Sequence, residues 1–174
     1  MTRRNPDSRE RLLRAARTEF SRQGRAGART ERIASLAGVN KQLIHYYFKT
    51  KHGLYGAVLQ AAAQELAEAL GRTPLIGLTA VERLRRLARS QFDYLAAQRE
   101  LTRLLVRDEG GAGEWFDAAI RPLTDLLTEG QATGFFRDDV DPLHHARQAL
   151  LLNLGYFLLQ PPAESWGAPD LWRD

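Results

Sequence analysis

Apolar residues recur along this chain of 174 residues at intervals of three and four, and the strict alternation that a half-buried strand requires is scarce. A helix turns about 100° per residue, so this spacing gathers apolar side chains on one face, and that face must be buried against another helix. The expected fold class is all-α. Leu12, Leu13, Ala16 and Phe20 form the first stripe, opened by the capping-box spacing Asp7-x-x-Glu10 and closed by Gly24. Thr30 is expected to cap a short helix ending at Ala37, its hydroxyl accepting from an otherwise unpaired backbone amide. Gly38 and Val39 turn the chain, and Asn40 caps a second short helix over 41–48. A longer helix follows over 51–70, with Leu54, Val58, Ala61, Ala62, Leu66 and Leu70 inward.

Pro74 and Gly77 mark 72–78 as a connection and divide the chain into a head over 7–67 and a body over 79–174. Thr79-x-x-Glu82 has capping-box spacing and leads a stripe of Val81, Leu84, Leu87, Ala88, Phe92 and Leu95. A shorter helix is expected over 100–109, ended by the turn of Gly110, Gly111, Ala112 and Gly113. The next, over 115–131, contains Pro122, whose missing amide donor should bend or split it. Asp141-Pro142 suits the start of another, with the acid as cap and proline in the first helical position, and Pro161-Pro162 stops it.

Composition supports a packed protein and removes some chemistry. Hydrophobic residues make up 44% of the chain, enough for a core, and there is no cysteine, which excludes disulfides, thiolate metal sites and cysteine nucleophiles. The basic start leads into no apolar run, so no signal peptide is expected, and the longest greasy segment, 149–159, is too short to span a bilayer. These features predict a cytoplasmic protein with no membrane partner, and no cofactor is indicated. The net charge of +4 hides an asymmetry: residues 1–52 carry 13 Lys and Arg against 4 Asp and Glu, and the remainder carries 12 against 17. A basic head on an acidic body is the footprint of a protein whose head faces a polyanion, although a basic solvated surface gives the same count.

Residues 29–48 carry the strongest functional signal. Two helices crossing closely need a small residue in the first, a residue tolerant of positive φ at the turn and an apolar anchor in the second, and Ala34, Gly38 and Ile44 meet these needs. Ile33, Ala37 and Val39 fill the other inward positions. On the second helix Ile44 and Phe48 share the inward face, leaving Lys41, Gln42, His45 and Tyr46 outward. Lysine and glutamine bond base edges, and lysine, histidine and tyrosine bond phosphate oxygens. The same spacing also occurs in ordinary helical hairpins with a tight turn.

Thr30 to Asn40, followed by Leu43-Ile44-His45-Tyr46-Tyr47-Phe48-Lys49-Thr50-Lys51-His52-Gly53-Leu54, resembles the DNA-binding domain of TetR-type transcriptional regulators over residues 7–60. The resemblance implies a three-helix helix-turn-helix domain, its third helix in the major groove of double-stranded operator DNA, joined to a helical ligand-binding and dimerisation bundle. By that resemblance Thr30, Tyr47 and Lys51 match phosphate-contacting positions, and Lys41, Gln42, Leu43 and His45 the groove-reading face. Two residues depart from the pattern: Glu31 stands where some members place a base-contacting arginine, and His45 replaces the more usual tyrosine. The segment 134–142 looks like the turn before the family's penultimate helix, which with the last helix makes its dimer interface. Residues 149–159, apolar almost all round, suit a homodimer interface or a central helix of the monomer. The short tail after Pro162 departs from the family's long last helix.

Enzyme readings find little support. His144 and His145 are adjacent, so on a helix they diverge by about 100° and make poor co-ligands for one metal. The 110–113 segment lacks the Gly-x-x-x-x-Gly-Lys-Ser/Thr pattern of a phosphate cradle, and no nucleophile-base-orienter set is evident. Phe92, Tyr94, Arg103, Arg107, Trp115, Phe116 and Tyr156 are the candidates for lining a pocket for a small, mostly apolar effector, or else for the core. Three readings stand on sequence alone: an operator-binding repressor released by an effector, a regulator of the same fold without a ligand, and a helical enzyme or interaction module.

Overall fold

The computed structural model describes residues 6–106 and 113–159, and within them the regular structure is helical throughout. Eight helices are assigned: α1 (Pro6–Gly27), α2 (Thr30–Ala37), α3 (Gln42–Phe48), α4 (Lys51–Gly71), α5 (Ala80–Ala97), α6 (Arg99–Val106), α7 (Gly113–Ala132) and α8 (Pro142–Leu159). The head packs α1 against α2, α3 and the start of α4, around Leu12, Ala16, Phe20, Ile33, Ile44, Phe48, Leu54 and Tyr55. The body packs α4, α5 and α8 onto α7. Its core holds Leu66, Leu87, Leu95, Leu105, Trp115, Leu123, Leu150 and Phe157. Because α4 contributes Leu54, Tyr55 and Val58 to the head and Leu66 and Leu70 to the body, one continuous helix joins the two.

Local signals decide where several helices begin. The Thr79 hydroxyl accepts from the Glu82 amide at 3.4 Å while the Glu82 carboxylate accepts from the Thr79 amide at 2.8 Å, so both halves of the capping box form. The Thr79 hydroxyl and amide, both donating to Glu82, hold its carboxyl below the ordinary range. Thr79→Ala removes the acceptor at the start of α5 and should lower unfolding stability by about 1 kcal/mol, read from the urea midpoint at unchanged slope. At the start of α8 the Asp141 carboxylate accepts from the His144 amide at 3.1 Å, as the Asp-Pro pair predicts.

Other expectations are corrected. Thr30 does not cap α2: Arg29 holds the cap position without a side-chain bond, and the Thr30 hydroxyl donates instead to Glu31. Helix α3 begins at Gln42 rather than 41, with Asn40 accepting from the Gln42 amide at 2.8 Å. Chain 24–27 continues past the expected stop, but Gly24 itself leaves helical geometry at φ 68°. Val81 is exposed, because the buried stripe of α5 runs through Leu87, Gln91 and Leu95 instead. Pro122 does not split α7, which is continuous through it. The glycine-rich residues 110–112 and everything from Gln160 onward lie outside the described residues.

Polar bonds tie the body to itself and to the head. Gln91, 1% exposed, donates to the Ala119 carbonyl at 2.8 Å and accepts from Asn153 at 3.0 Å, linking α5, α7 and α8 through the core. Arg17 on α1 bonds Glu65 on α4 at 2.8 Å and Gln98 after α5 at 2.7 Å. Beside them the Tyr94 hydroxyl donates to the Ala62 carbonyl at 3.2 Å, and burial pushes its pKa up to about 12.

Candidate nucleic-acid interface

Helix α2 buries Ile33, Ala34 and Ala37 and ends in a left-handed residue, Gly38, at φ 61° and ψ 40°. The Val39 amide bonds the Ala34 carbonyl and the Gly38 amide the Ser35 carbonyl, both at 3.0 Å, which closes the helix end. Glycine suits this position because a side chain disfavours the left-handed conformation. The Arg11 guanidinium donates to the Gly38 carbonyl at 3.1 Å, and a Cβ here would only have to displace the end of that flexible side chain.

Ile44 and Phe48 anchor α3 in the head at 4% and 6% exposure, leaving Gln42, His45 and Tyr46 exposed and Leu43 and Tyr47 half-buried. Tyr47 packs edge-on to Tyr46 with centroids 5.0 Å apart, and the Arg9 guanidinium lies 5.6 Å from the centre of the Phe48 ring. The joint to α4 is close: Thr50 accepts from the Gly53 amide at 2.9 Å, and a Cβ on Gly53 would stand 2.2 Å from the Phe48 carbonyl oxygen. The pose of α3 is therefore set from both ends, by Gly38 and by Gly53.

Gln42, His45, Tyr46 and Tyr47 lie on α3, Lys41 directly precedes it, and Thr30 begins α2 next to Glu31, the ion-pair partner of Lys41. Leu43 is half-buried and packs against the core. Lys51 is placed differently: its half-buried ammonium donates to the Ala26 and Ala28 carbonyls at 3.0 and 3.2 Å, fastening the chain between α1 and α2. Lys41 forms an ion pair with Glu31, and its hydrogen bond holds the Glu31 carboxyl below the ordinary range.

Glu19 is a residue that the motif does not announce. It is 2% exposed, pairs with Arg32 at 3.0 Å and accepts from the Arg29 amide at 3.4 Å, so a buried carboxylate steadies the start of α2. A signal was present, since residue 19 falls on the stripe of residues 12, 16 and 20, where an acid needs a partner.

The residues expected around an effector do not form one wall. Phe92 meets Tyr156 and Phe157 of α8, Trp115 meets Phe116, and Tyr94 reaches α4. Arg107 and the side chain of Arg103 lie outside the described residues. A cleft of about 380 Å³ opens elsewhere, between α4, α5 and α7, and none of the five described aromatic residues lines it. Leu70, Leu75, Leu87, Pro122 and Leu126 form its apolar wall, and Arg83 pairs across it with both carboxylate oxygens of Glu129 at 2.9 and 3.1 Å.

A short helix held by a left-handed glycine turn, with an outward polar face on a basic head, defines a helix-turn-helix DNA-binding protein. Residues 12–58 match the family described as bacterial regulatory proteins, tetR family, and residues 81–166 match the tetracyclin repressor-like C-terminal domain. The HTH-type transcriptional repressor NicS of Pseudomonas putida is 29% identical over 160 residues, which cover 86% of this chain and 74% of that protein. The structure of SCO4942 from Streptomyces coelicolor superposes with a TM-score of 0.70 at 30% identity, covering 86% of this chain and 79% of that one. FadR of Bacillus subtilis, solved in complex with stearoyl-CoA, shares the fold with a TM-score of 0.76 at 20% identity, covering 85% and 84% of the two chains. The chain belongs to the TetR family, whose members are DNA-binding transcriptional regulators and not enzymes. No helix among the described residues is long and apolar enough to cross a membrane.

Proposed function

We propose that the chain is a repressor that binds a palindromic operator as a homodimer, through the head at 7–67, and is released by a small, mostly apolar effector taken up in the body at 79–174. The observation that carries this reading is the division of α3 into a buried face, Ile44 and Phe48, and an exposed face, Gln42, His45 and Tyr46, beside Lys41. Thr30 and Tyr47 flank that face and suit phosphates. Lys51 suits a phosphate as well, while its ammonium also donates to the Ala26 and Ala28 carbonyls. Its site of action is the cytoplasm, at the nucleoid when DNA-bound.

The effector reading rests on the cleft between α4, α5 and α7, where the apolar wall faces the Arg83–Glu129 pair and the charged residues Glu114, Arg121 and Asp125, a lining that suits a ligand with an apolar part and a polar end. The dimer reading rests on α8, which buries Leu150, Leu154 and Phe157 in its own body while leaving Leu151, Leu152 and Tyr156 exposed. Selecting fragments of genomic DNA, with and without candidate apolar metabolites, tests operator and effector together. On the selected operator, Gln42→Ala should cost about 1 to 3 kcal/mol and relax preference at one base pair, while random-sequence DNA binds as before. Fluorescence anisotropy on both duplexes reads this; equal losses on the two would mean that Gln42 meets no base.

A further inference from the structure

Residues 29–52 hold five lysines and arginines and a single acid, Glu31. It stands in the first turn of α2, 66% exposed, and pairs with Lys41, 57% exposed, which directly precedes α3. The Thr30 hydroxyl donates to its other oxygen at 3.4 Å. An ion pair this exposed contributes little to stability, so its effect lies in what it does to the lysine and to an approaching nucleic acid. A carboxylate on a surface that meets phosphates is repelled by them, and a lysine held by that carboxylate must leave it before neutralising a phosphate. A major-groove base edge treats the pair differently. A G·C pair presents guanine O6 and N7 as acceptors beside the cytosine N4 amine as donor, and a lysine next to a glutamate offers the complementary donor and acceptor.

Resting on the operator-binding reading above, we propose that Glu31 and Lys41 act as one unit that determines specificity, reading a single G·C base pair and suppressing attachment to DNA of other sequence. Lys41 bonds the guanine and Glu31 accepts from the cytosine amine of the same pair. Off the operator the two remain bonded to each other, and the head presents one fewer free cation to the backbone.

The test compares the parent, Glu31→Gln, Lys41→Ala and the double variant on a duplex selected from a random library by the parent, on its single-base substitutions, and on a scrambled duplex, across a salt series. Glu31→Gln keeps size and shape, and with an exposed side chain it should melt as the parent does. It is expected to bind the scrambled duplex about three- to tenfold tighter, with a salt dependence steeper by about one unit, because Lys41 is now free to displace a counterion. Its discrimination between selected and scrambled duplexes should fall about tenfold, and among the single-base substitutions the preference should be lost at one G·C position only. In the Lys41→Ala background the steeper salt dependence should vanish. An unchanged discrimination ratio, or a gain that persists without Lys41, overturns the proposal. A parent that prefers no duplex overturns the operator reading along with it, whereas a selective parent whose two residues show no coupling overturns this proposal alone.

Discussion

Replacing Leu151 and Leu152 together with glutamate is expected to turn a dimer into a monomer and to lower operator affinity by about two orders of magnitude. The two side chains are 63% and 75% exposed in the single chain, so charging them disturbs no core contact and the melting temperature of the monomer should hold. A dimer is different, because two apolar surfaces of about 800 Å² each, brought together at such a face, do not accept four carboxylates. The affinity loss follows from linkage: once one head is seated, the second binds as if at high local concentration, and a monomer forfeits that gain of about 10² to 10⁴. Leu154 is the wrong position for this experiment. It is 3% exposed and faces its own body, so a charge there would unfold the chain before it separated subunits. Sedimentation velocity at micromolar concentration and anisotropy on the selected operator give the two readouts. A parent that sediments as a monomer, or a double variant that still pairs, removes α8 as the interface.

The contrast between Leu154 and its neighbours shows where sequence is informative and where it stops. Periodicity placed the helices because every turn of an amphipathic helix repeats the same message, and the Thr79-Glu82 box and Asp141 cap were legible because their partners lie three residues away. The helix-turn-helix was legible for the same reason: Ala34, Gly38 and Ile44 meet within eleven residues. On α8, apolar almost all round, no periodicity divides the face that packs inward from the face left open, and only the positions of α5, α6 and α7 decide it. Lys51 and Glu31 are limits of the same kind. Their partners at 26, 28 and 41 are set by how helices dock, and a side chain's type does not tell whether its charge meets a carbonyl, a carboxylate or a phosphate. The cleft between α4, α5 and α7 was least legible, since aromatic residues close in sequence, such as Phe92 and Tyr94, sit on different faces of α5 and reach α8 and α4 respectively, and none of them lines it.

Ile44→Ala is expected to destabilise the protein by about 2 to 5 kcal/mol, the range for truncating a large aliphatic side chain in a core that cannot fully collapse. The side chain is 4% exposed in the hydrophobic core, and relaxation is limited because the left-handed turn at Gly38 precedes α3 and Gly53 packs closely on the Phe48 carbonyl at its end. The consequence for DNA binding is indirect but large. A helix of seven residues is far below the length that stands alone in water, so α3 exists through the packing of Ile44 and Phe48. Loosening that packing lets Gln42 and His45 lose their shared direction while leaving both residues chemically intact. Thermal and urea unfolding should therefore shift for Ile44→Ala and stay put for Gln42→Ala, although both variants bind the operator more weakly. Cooling or a low urea baseline should recover part of the operator affinity of Ile44→Ala and none of that lost by Gln42→Ala, because only the first variant is limited by the population of folded head. An Ile44→Ala protein as stable as the parent would mean that α3 is not anchored through this residue, and the outward face assigned to Gln42, His45 and Tyr46 would be wrong with it.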